Sequence, residues 1–222
     1  MLSSLPPFVL FFVGAIVIAF TRGTVRKLLI LAIPLIGGLN LLFGVEPGLH
    51  LQFDLLGYTL TPYRADKLSL LFGYLFHLAA FLGFVYALHL GDGTPEGSVA
   101  GEVGEDDIVG NASAGLQHVA AMVYAGSALG AVFAGDFITL FIFWELLAIS
   151  SAFLVWARQS ERSYATGFRY LIIHVISGVL LLSGALMLAH ETGSIEFGHI
   201  GLAGTGAAGW ILLLSFGIKA GF

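Results

Sequence analysis

The chain has 222 residues, of which 58% are hydrophobic and 10% charged, and its mean hydropathy is +0.95. A globular surface needs more charge than this, so the composition predicts an all-α polytopic membrane protein embedded in a lipid bilayer. A formal net charge of −5 argues against a nucleic-acid partner, and the absence of cysteine excludes disulfides, thiolate metal sites and iron–sulfur clusters. The seven histidines are not clustered at metal-ligand spacing. We therefore expect no metal and no cofactor.

Apolar runs long enough to cross a bilayer recur along the chain. They predict about six complete transmembrane helices and the start of a seventh. The predicted spans are 5–21, 27–44, 67–90, 113–134, 137–157 and 166–190, with the seventh opening near 206. Basic residues follow the first run instead of preceding it, which favours a retained span over a cleaved signal peptide. The seventh run continues to Phe222 with no flanking charge, so we expect either a fragment of a longer chain or a partner half encoded separately.

Two segments between spans differ from the apolar runs. Residues 49–63 alternate apolar and polar side chains around Gly57, which predicts a short external hairpin of strands. Residues 91–111 carry six carboxylates and no base, a composition typical of a mobile, solvated loop.

The distribution of basic residues predicts the orientation. Alternate loops share a side of the membrane, and most of the bases fall on one side: Arg22, Arg26, Lys27, Arg158, Arg162 and Arg169, against only Arg64 and Lys67 opposite. The positive-inside rule places the larger group in the cytoplasm. We therefore expect a multi-pass protein of the cell inner (plasma) membrane with its N-terminus outside.

Four protonatable residues lie deep in predicted spans: His77, Glu145, His174 and Lys219. An ionisable side chain inside a bilayer is costly and usually marks an ion pathway, so these four residues outline a candidate proton relay. Glu145 has only apolar neighbours on its own helix face, and its partner must come from another helix. Lys219 stands between Gly217 and Gly221, which predicts a local helix break that would expose backbone carbonyls beside the ammonium.

A structural reading competes with the relay at each position. Glu145 could be a hydrogen-bonded packing residue, and Lys219 could extend to an interface. His174 could serve as a shuttle or make an interhelical hydrogen bond, and His77 favours packing. Motifs for a nucleophile elbow or a phosphate loop are missing from the sequence, so nothing supports catalysis on a small molecule. Whether the chain belongs to an enzyme complex stays open.

Four segments share a resemblance to one family. ADKLSLLF in the third span, GDFITLFIFWELLAISSAFLV in the fifth, FRYLIIHVISG in the sixth and SFGIKAGF in the seventh resemble the proton-conducting, antiporter-like membrane subunits. These subunits occur in Mrp-type Na⁺/H⁺ antiporters, respiratory complex I and membrane-bound hydrogenases. Among these subunits, the sequences of the four segments are most similar to the Mrp D-type subunit. The resemblance covers roughly residues 64–222.

The resemblance implies a fold and a site. It implies the first part of an inverted-repeat antiporter-like fold, in which Glu145 and Lys219 form the proton-transfer pair and the lysine lies in a discontinuous helix. It carries no role over to His174. On this basis we divide the chain into residues 1–111, with three helices, the hairpin and the acidic loop, and residues 112–222, with the first part of the antiporter-like repeat.

Three hypotheses for function follow. The first is a subunit that moves H⁺, in exchange for Na⁺, through a complex with other membrane subunits. The second is a proton-pumping membrane-arm subunit of an NADH:quinone oxidoreductase or hydrogenase complex. The third is a non-conducting scaffold or a truncated remnant.

Overall fold

The computed structural model describes residues 5–91, 105–157, 160–198 and 206–221, and the side chains of 89–91 and 105–114 are outside that description. The described chain forms helices and one hairpin of strands. In chain order these elements are α1 (Pro7–Phe20), α2 (Gly23–Gly44), β1 (Gly48–Leu55), β2 (Tyr58–Ala65), α3 (Lys67–Gly91), α4 (Glu105–Phe133), α5 (Phe137–Trp156), α6 (Glu161–Thr192) and α7 (Gly206–Ala220).

Helices occupy all seven predicted positions, which confirms the all-α membrane architecture. Five of the described helices are long and apolar enough to cross a membrane, whereas α1 and α7 have only 14 and 15 residues. Among the described residues the number of helices long enough to span a membrane is therefore five, not six. Many of their apolar side chains are exposed and available to lipid, as expected where no polar solvent has to be faced.

Two details differ from the sequence prediction. Helix α4 begins at Glu105, so residues 105–111 are helical and not part of a loop, while 92–104 lie outside the described residues. The predicted break is not at Gly217, which is buried inside a continuous α7. Gly221, with φ of 88°, follows the end of that helix. The boundary drawn at residue 111 lies within α4, and the division into two units remains a prediction.

The predicted hairpin is confirmed and lies at one end of the helix bundle. Strands β1 and β2 pair antiparallel, from Gly48 opposite Ala65 to Leu55 opposite Tyr58. Gly57 has φ of 84°, a value that favours glycine and sets the turn. Tyr63 of β2 is fully buried against the ring of Phe133 in α4, and this burial raises the pKa of its phenol to about 12. The hairpin is thus anchored to the helices.

The hairpin also fixes the start of α5 through Asp136, whose side chain is 0% exposed. Asp136 Oδ1 accepts the backbone N–H of Thr139 at 2.8 Å, as an N-cap residue should. Asp136 Oδ2 accepts the backbone N–H of Thr61 at 2.6 Å and the hydroxyl of Thr139 at 2.7 Å. Gly135 N–H donates to the Thr61 carbonyl at 2.8 Å. One carboxylate therefore caps α5 and ties it to β2.

The segment that follows α6 packs at the same end of the bundle. Phe137 N–H donates to the Ile195 carbonyl at 3.0 Å, and Phe197 N–H donates to the Gly135 carbonyl at 3.3 Å. The loops after α2, α4 and α6 thus meet at one end, as alternating spans require. At the opposite end, Arg26 and Lys27 line a cavity together with Gln117 and His118. Which end faces the cytoplasm remains a prediction.

We predict that Asp136→Asn destabilises the protein by about 1–3 kcal/mol, because an amide NH₂ would then face the N–H of Thr61 and leave that donor unpaired. Asp136→Ala should cost about 1 kcal/mol more, because it also removes the helix cap. Thermal unfolding in detergent measures both effects. The control is Asp54→Asn, whose exposed carboxylate accepts the Thr59 hydroxyl. Equal melting of Asp136→Asn and wild type would contradict this role.

Candidate functional site

The candidate site lies where α5, α6 and α7 pack together, and its central group is the ammonium of Lys219. This side chain is half-buried, and its Nζ donates to the backbone carbonyl of Trp144 at 3.2 Å. Nζ also lies 4.8 Å from the centroid of the Trp144 ring, within the range of a cation–π interaction. Lys219 is thus held at mid-length of α5 rather than extended to an interface.

Two serines fix the helices around this lysine. Ser177 of α6 donates to the Ser215 carbonyl at 2.9 Å, and Ser215 of α7 donates to the Ser177 carbonyl at 2.7 Å. Trp144 Nε1 donates to the Ser177 hydroxyl at 3.3 Å. The Trp144 ring also meets Phe216 edge-to-face, with centroids 5.1 Å apart. Because Ser215 precedes Lys219 by one helical turn, this network holds the lysine against α5.

Glu145 lies next to Trp144 on α5 and turns towards α6. A Cβ added to Gly178 would overlap Glu145 Oε1, so the carboxylate fits against a glycine backbone. Oε1 is buried and has no hydrogen-bond partner among the described residues. Lys219 interacts electrostatically with this carboxylate, but no hydrogen bond joins the two side chains within the described part of the chain.

His174 is 9% exposed and lies one turn before Ser177 on the same face of α6. Its Nδ1 has no partner among the described residues, and its ring lies 4.0 Å from that of Tyr170, centroid to centroid. The Tyr170 hydroxyl is hydrogen-bonded to the Ser151 hydroxyl of α5 at 3.0 Å. Lys219 also interacts electrostatically with His174. A file of polar groups therefore leads from Lys219 towards the end of the bundle that carries Arg26.

His77 lies away from this site. Its Nδ1 is 2.7 Å from the Gly73 carbonyl of its own helix, its ring meets Phe11 edge-to-face, and it is 3% exposed against the glycines of α2. These contacts agree with the packing role that the sequence favoured. The structure therefore brings three of the four intramembrane ionisable residues together and leaves the fourth elsewhere.

Sequence reasoning missed the connecting residues Trp144, Ser177 and Ser215. All three stand inside the quoted motifs but received no role of their own. A usable signal existed in the spacing, since a serine four residues before a buried lysine shares its helix face. The acceptor for Lys219 is a backbone carbonyl, and no residue type marks such an acceptor in advance.

Comparison with known proteins finds a family match over the part of the chain that holds the candidate site. Residues 134–222 match the family model described as NADH:quinone oxidoreductase/Mrp antiporter, transmembrane region. That range contains α5, α6, α7 and every side chain of the candidate site. The second part of the chain is therefore similar to this family of antiporter-like membrane subunits, in agreement with the resemblance of the quoted motifs.

Individual relatives cover parts of the chain. The Na⁺/H⁺ antiporter subunit A1 of Staphylococcus epidermidis is 37% identical over 79 residues, which are 34% of this chain and 10% of that protein. An uncharacterised protein of Methanocaldococcus jannaschii is 34% identical over 65 residues, 29% of this chain and 14% of that protein. The chain thus spans about a tenth of these curated relatives' length. The D-type assignment remains a prediction.

Solved structures share the fold over the whole chain. A chain of respiratory complex I from Thermus thermophilus superposes with a TM-score of 0.67 at 19% identity, covering 99% of this chain and 44% of that one. A chain of the membrane-bound sulfane sulfur reductase, an archaeal respiratory membrane complex, gives 0.67 at 15% identity, covering 98% and 43%. At these identities the likeness concerns the fold alone.

The contact between Glu145 and Gly178 gives a first prediction for the site. Gly178→Ala must displace the carboxylate of Glu145. We therefore expect labelling of Glu145 by a hydrophobic carbodiimide to rise severalfold, as measured by peptide mass mapping. Gly184→Ala is the matched control, because its Cβ would press on Leu212 of α7 and not on Glu145. Equal labelling in both variants would show that Gly178 does not position Glu145.

The serine pair gives a second prediction. Ser177→Ala and Ser215→Ala each remove one of two neighbouring hydroxyl-to-carbonyl hydrogen bonds between α6 and α7. Loss of either bond lets the helices shift and weakens the other, so the double variant should cost less than the sum of the single variants, with a coupling free energy of about 0.5–3 kcal/mol. Thermal unfolding in detergent measures the cycle. Ser127→Ala combined with Ser215→Ala is the control pair, because Ser127 donates within α4 to Val123. Strict additivity of the Ser177 and Ser215 changes would refute a shared network.

Proposed function

We propose that this chain forms part of a proton-translocating subunit of a multi-subunit membrane complex, most simply one that exchanges Na⁺ for H⁺. One observation carries the proposal: a half-buried ammonium is held inside three packed helices by a carbonyl and a ring of α5, next to a carboxylate of the same helix. Intramembrane ionisable groups in such positions usually serve ion pathways. The match of residues 134–222 to the NADH:quinone oxidoreductase/Mrp antiporter family supports it.

Lys219 is the group that accepts and releases the proton. In its charged form it is stabilised by the Trp144 carbonyl and by the face of the Trp144 ring. A negative charge on Glu145 adds attraction, and neutralising Glu145 removes it. Glu145 thereby controls whether the ammonium keeps its proton. The Glu145–Lys219 pair is thus coupled through charge without a direct hydrogen bond.

His174 supplies the next step of the path. It lies one turn from Ser177, and Tyr170 lies one further turn towards the start of α6, so about 10 Å of helix separate Ser177 from Tyr170. An imidazole and a hydroxyl can both give and take protons. The hydrogen bond between Tyr170 and Ser151 extends this path to α5. We assign His174 the role of a relay.

The setting of the chain follows from the same proposal. Its partners are other membrane subunits of an antiporter or respiratory complex, and its cargo is H⁺ with Na⁺. It resides in the plasma membrane with the N-terminus outside, because the bases lie on alternate loops. The fold shared with a complex I chain favours one alternative, a pumping subunit driven by a redox partner. A non-conducting scaffold is the remaining one.

We predict that Lys219→Ala abolishes, and Glu145→Gln lowers by at least about tenfold, the collapse of a proton gradient in everted vesicles that contain the chain with its companion subunits. The first change removes the proton carrier and the second removes the charge that controls it. Adding Na⁺, K⁺ or a quinone-reducing substrate in turn distinguishes antiport from redox-driven pumping.

The controls are Glu191→Gln and Lys67→Gln, which neutralise exposed charges outside the site. Both should transport at the wild-type rate. Lys219→Arg keeps the charge and tests position. Normal transport by Glu145→Gln and Lys219→Ala, at wild-type expression and melting temperature, would contradict the proposed proton transfer. The non-conducting scaffold would then be the remaining hypothesis.

A further inference from the structure

A cavity of about 930 Å³ opens between α3 and α4, and Leu154 of α5 also lines it. Small residues line much of both helices and leave the gap between them: Ala79, Ala80, Gly83 and Ala87 on α3, with Ala121, Ala125 and Ala128 on α4. A Cβ added to Gly83 would meet nothing within 4 Å. The volume is that of a ligand site, for which about 300–1,000 Å³ is usual.

One end of this cavity is basic. Arg26 and Lys27, at the start of α2, line it together with Gln117 and His118 of α4. Arg26 Nε donates to the Thr21 carbonyl at 2.8 Å, and Gly115 packs against the guanidinium. The Arg26 side chain is therefore held in place at the rim. His118 Nδ1 is buried and has no partner among the described residues.

The length of the apolar part matches half a bilayer. On α3 the lining runs from Phe76 to Leu88, and on α4 from Gln117 to Ala128. At 1.5 Å per residue these stretches are about 18 Å and 17 Å long. The hydrocarbon core of a bilayer is about 30 Å thick, so the groove extends from one interface to near the midplane. A hydrocarbon chain from a single leaflet fits that depth.

We propose that this groove binds one anionic phospholipid, with an acyl chain between α3 and α4 and the phosphate at Arg26 and Lys27. Basic pockets between transmembrane helices are suited to anionic head groups, because the guanidinium fork and the ammonium pair with phosphate oxygens. Charge complementarity selects an anionic lipid over a zwitterionic one. The apolar walls select a lipid over free phosphate. The lipid holds the start of α2 against α4.

The test is native mass spectrometry of the 222-residue chain, released from nanodiscs that contain equal amounts of phosphatidylglycerol and phosphatidylcholine. We expect phosphatidylglycerol to be retained preferentially. The double variant Arg26→Gln, Lys27→Gln should lower its retention by at least about tenfold. Gly83→Leu places a side chain in the open groove and should lower retention to a similar extent while preserving the helix.

Matched variants separate the proposal from general electrostatics. Lys67→Gln removes an exposed charge from the other end of the bundle and should change nothing, and Arg26→Lys with Lys27→Arg should retain the lipid. Equal retention of both lipids, or equal loss in Lys67→Gln, would overturn the site. Displacement by millimolar inorganic phosphate together with undiminished binding in Gly83→Leu would show an anion site without an acyl groove, and this would also overturn it. None of these outcomes depends on proton transport.

Discussion

The hydrogen bond from the Lys219 ammonium to the Trp144 carbonyl is the interaction on which the candidate site depends. An ammonium removed from water needs compensating contacts, and in this bundle a backbone carbonyl and an indole ring provide them. This requirement fixes the depth of α7 along α5. The serine pair then fixes α7 on α6, because the hydroxyl of each serine donates to the backbone carbonyl of the other. The contacts that stabilise the Lys219 ammonium and the serine pair beside it therefore position α5, α6 and α7.

The two ends of the bundle are held differently. At the hairpin end, Asp136 replaces water for three donors, and the loops after α4 and α6 join by backbone hydrogen bonds. At the basic end, α3 and α4 are separated by a groove lined with small residues. The hairpin end is thus closed by protein contacts, whereas at the basic end the described residues form the groove in which the lipid is proposed to bind.

The sequence was sufficient to predict where the helices lie, because few other structures fit apolar runs of bilayer length. It was also sufficient to select three ionisable residues that the structure brings together, because an ionisable residue in such a run is easily recognised. It was insufficient to predict the start of α4, because residues 105–111 are helical but lack the apolar face that would have indicated a helix. It could not foresee the pairing of Asp136 with Thr61, which are 75 residues apart, or the carbonyl of Trp144 as an acceptor. Both depend on backbone groups that every residue carries.

The backbone nature of the Lys219 acceptor has a consequence for how the pair can work. If Glu145 held the ammonium by a direct hydrogen bond, neutralising Glu145 would release Lys219 and loosen α7. Because the Trp144 carbonyl makes that bond, the proposed mechanism lets Lys219 keep its position while the charge of Glu145 changes. The Gly178 backbone likewise keeps the carboxylate near but apart. The proposed proton transfer would therefore change the charges of these side chains without moving the packed helices.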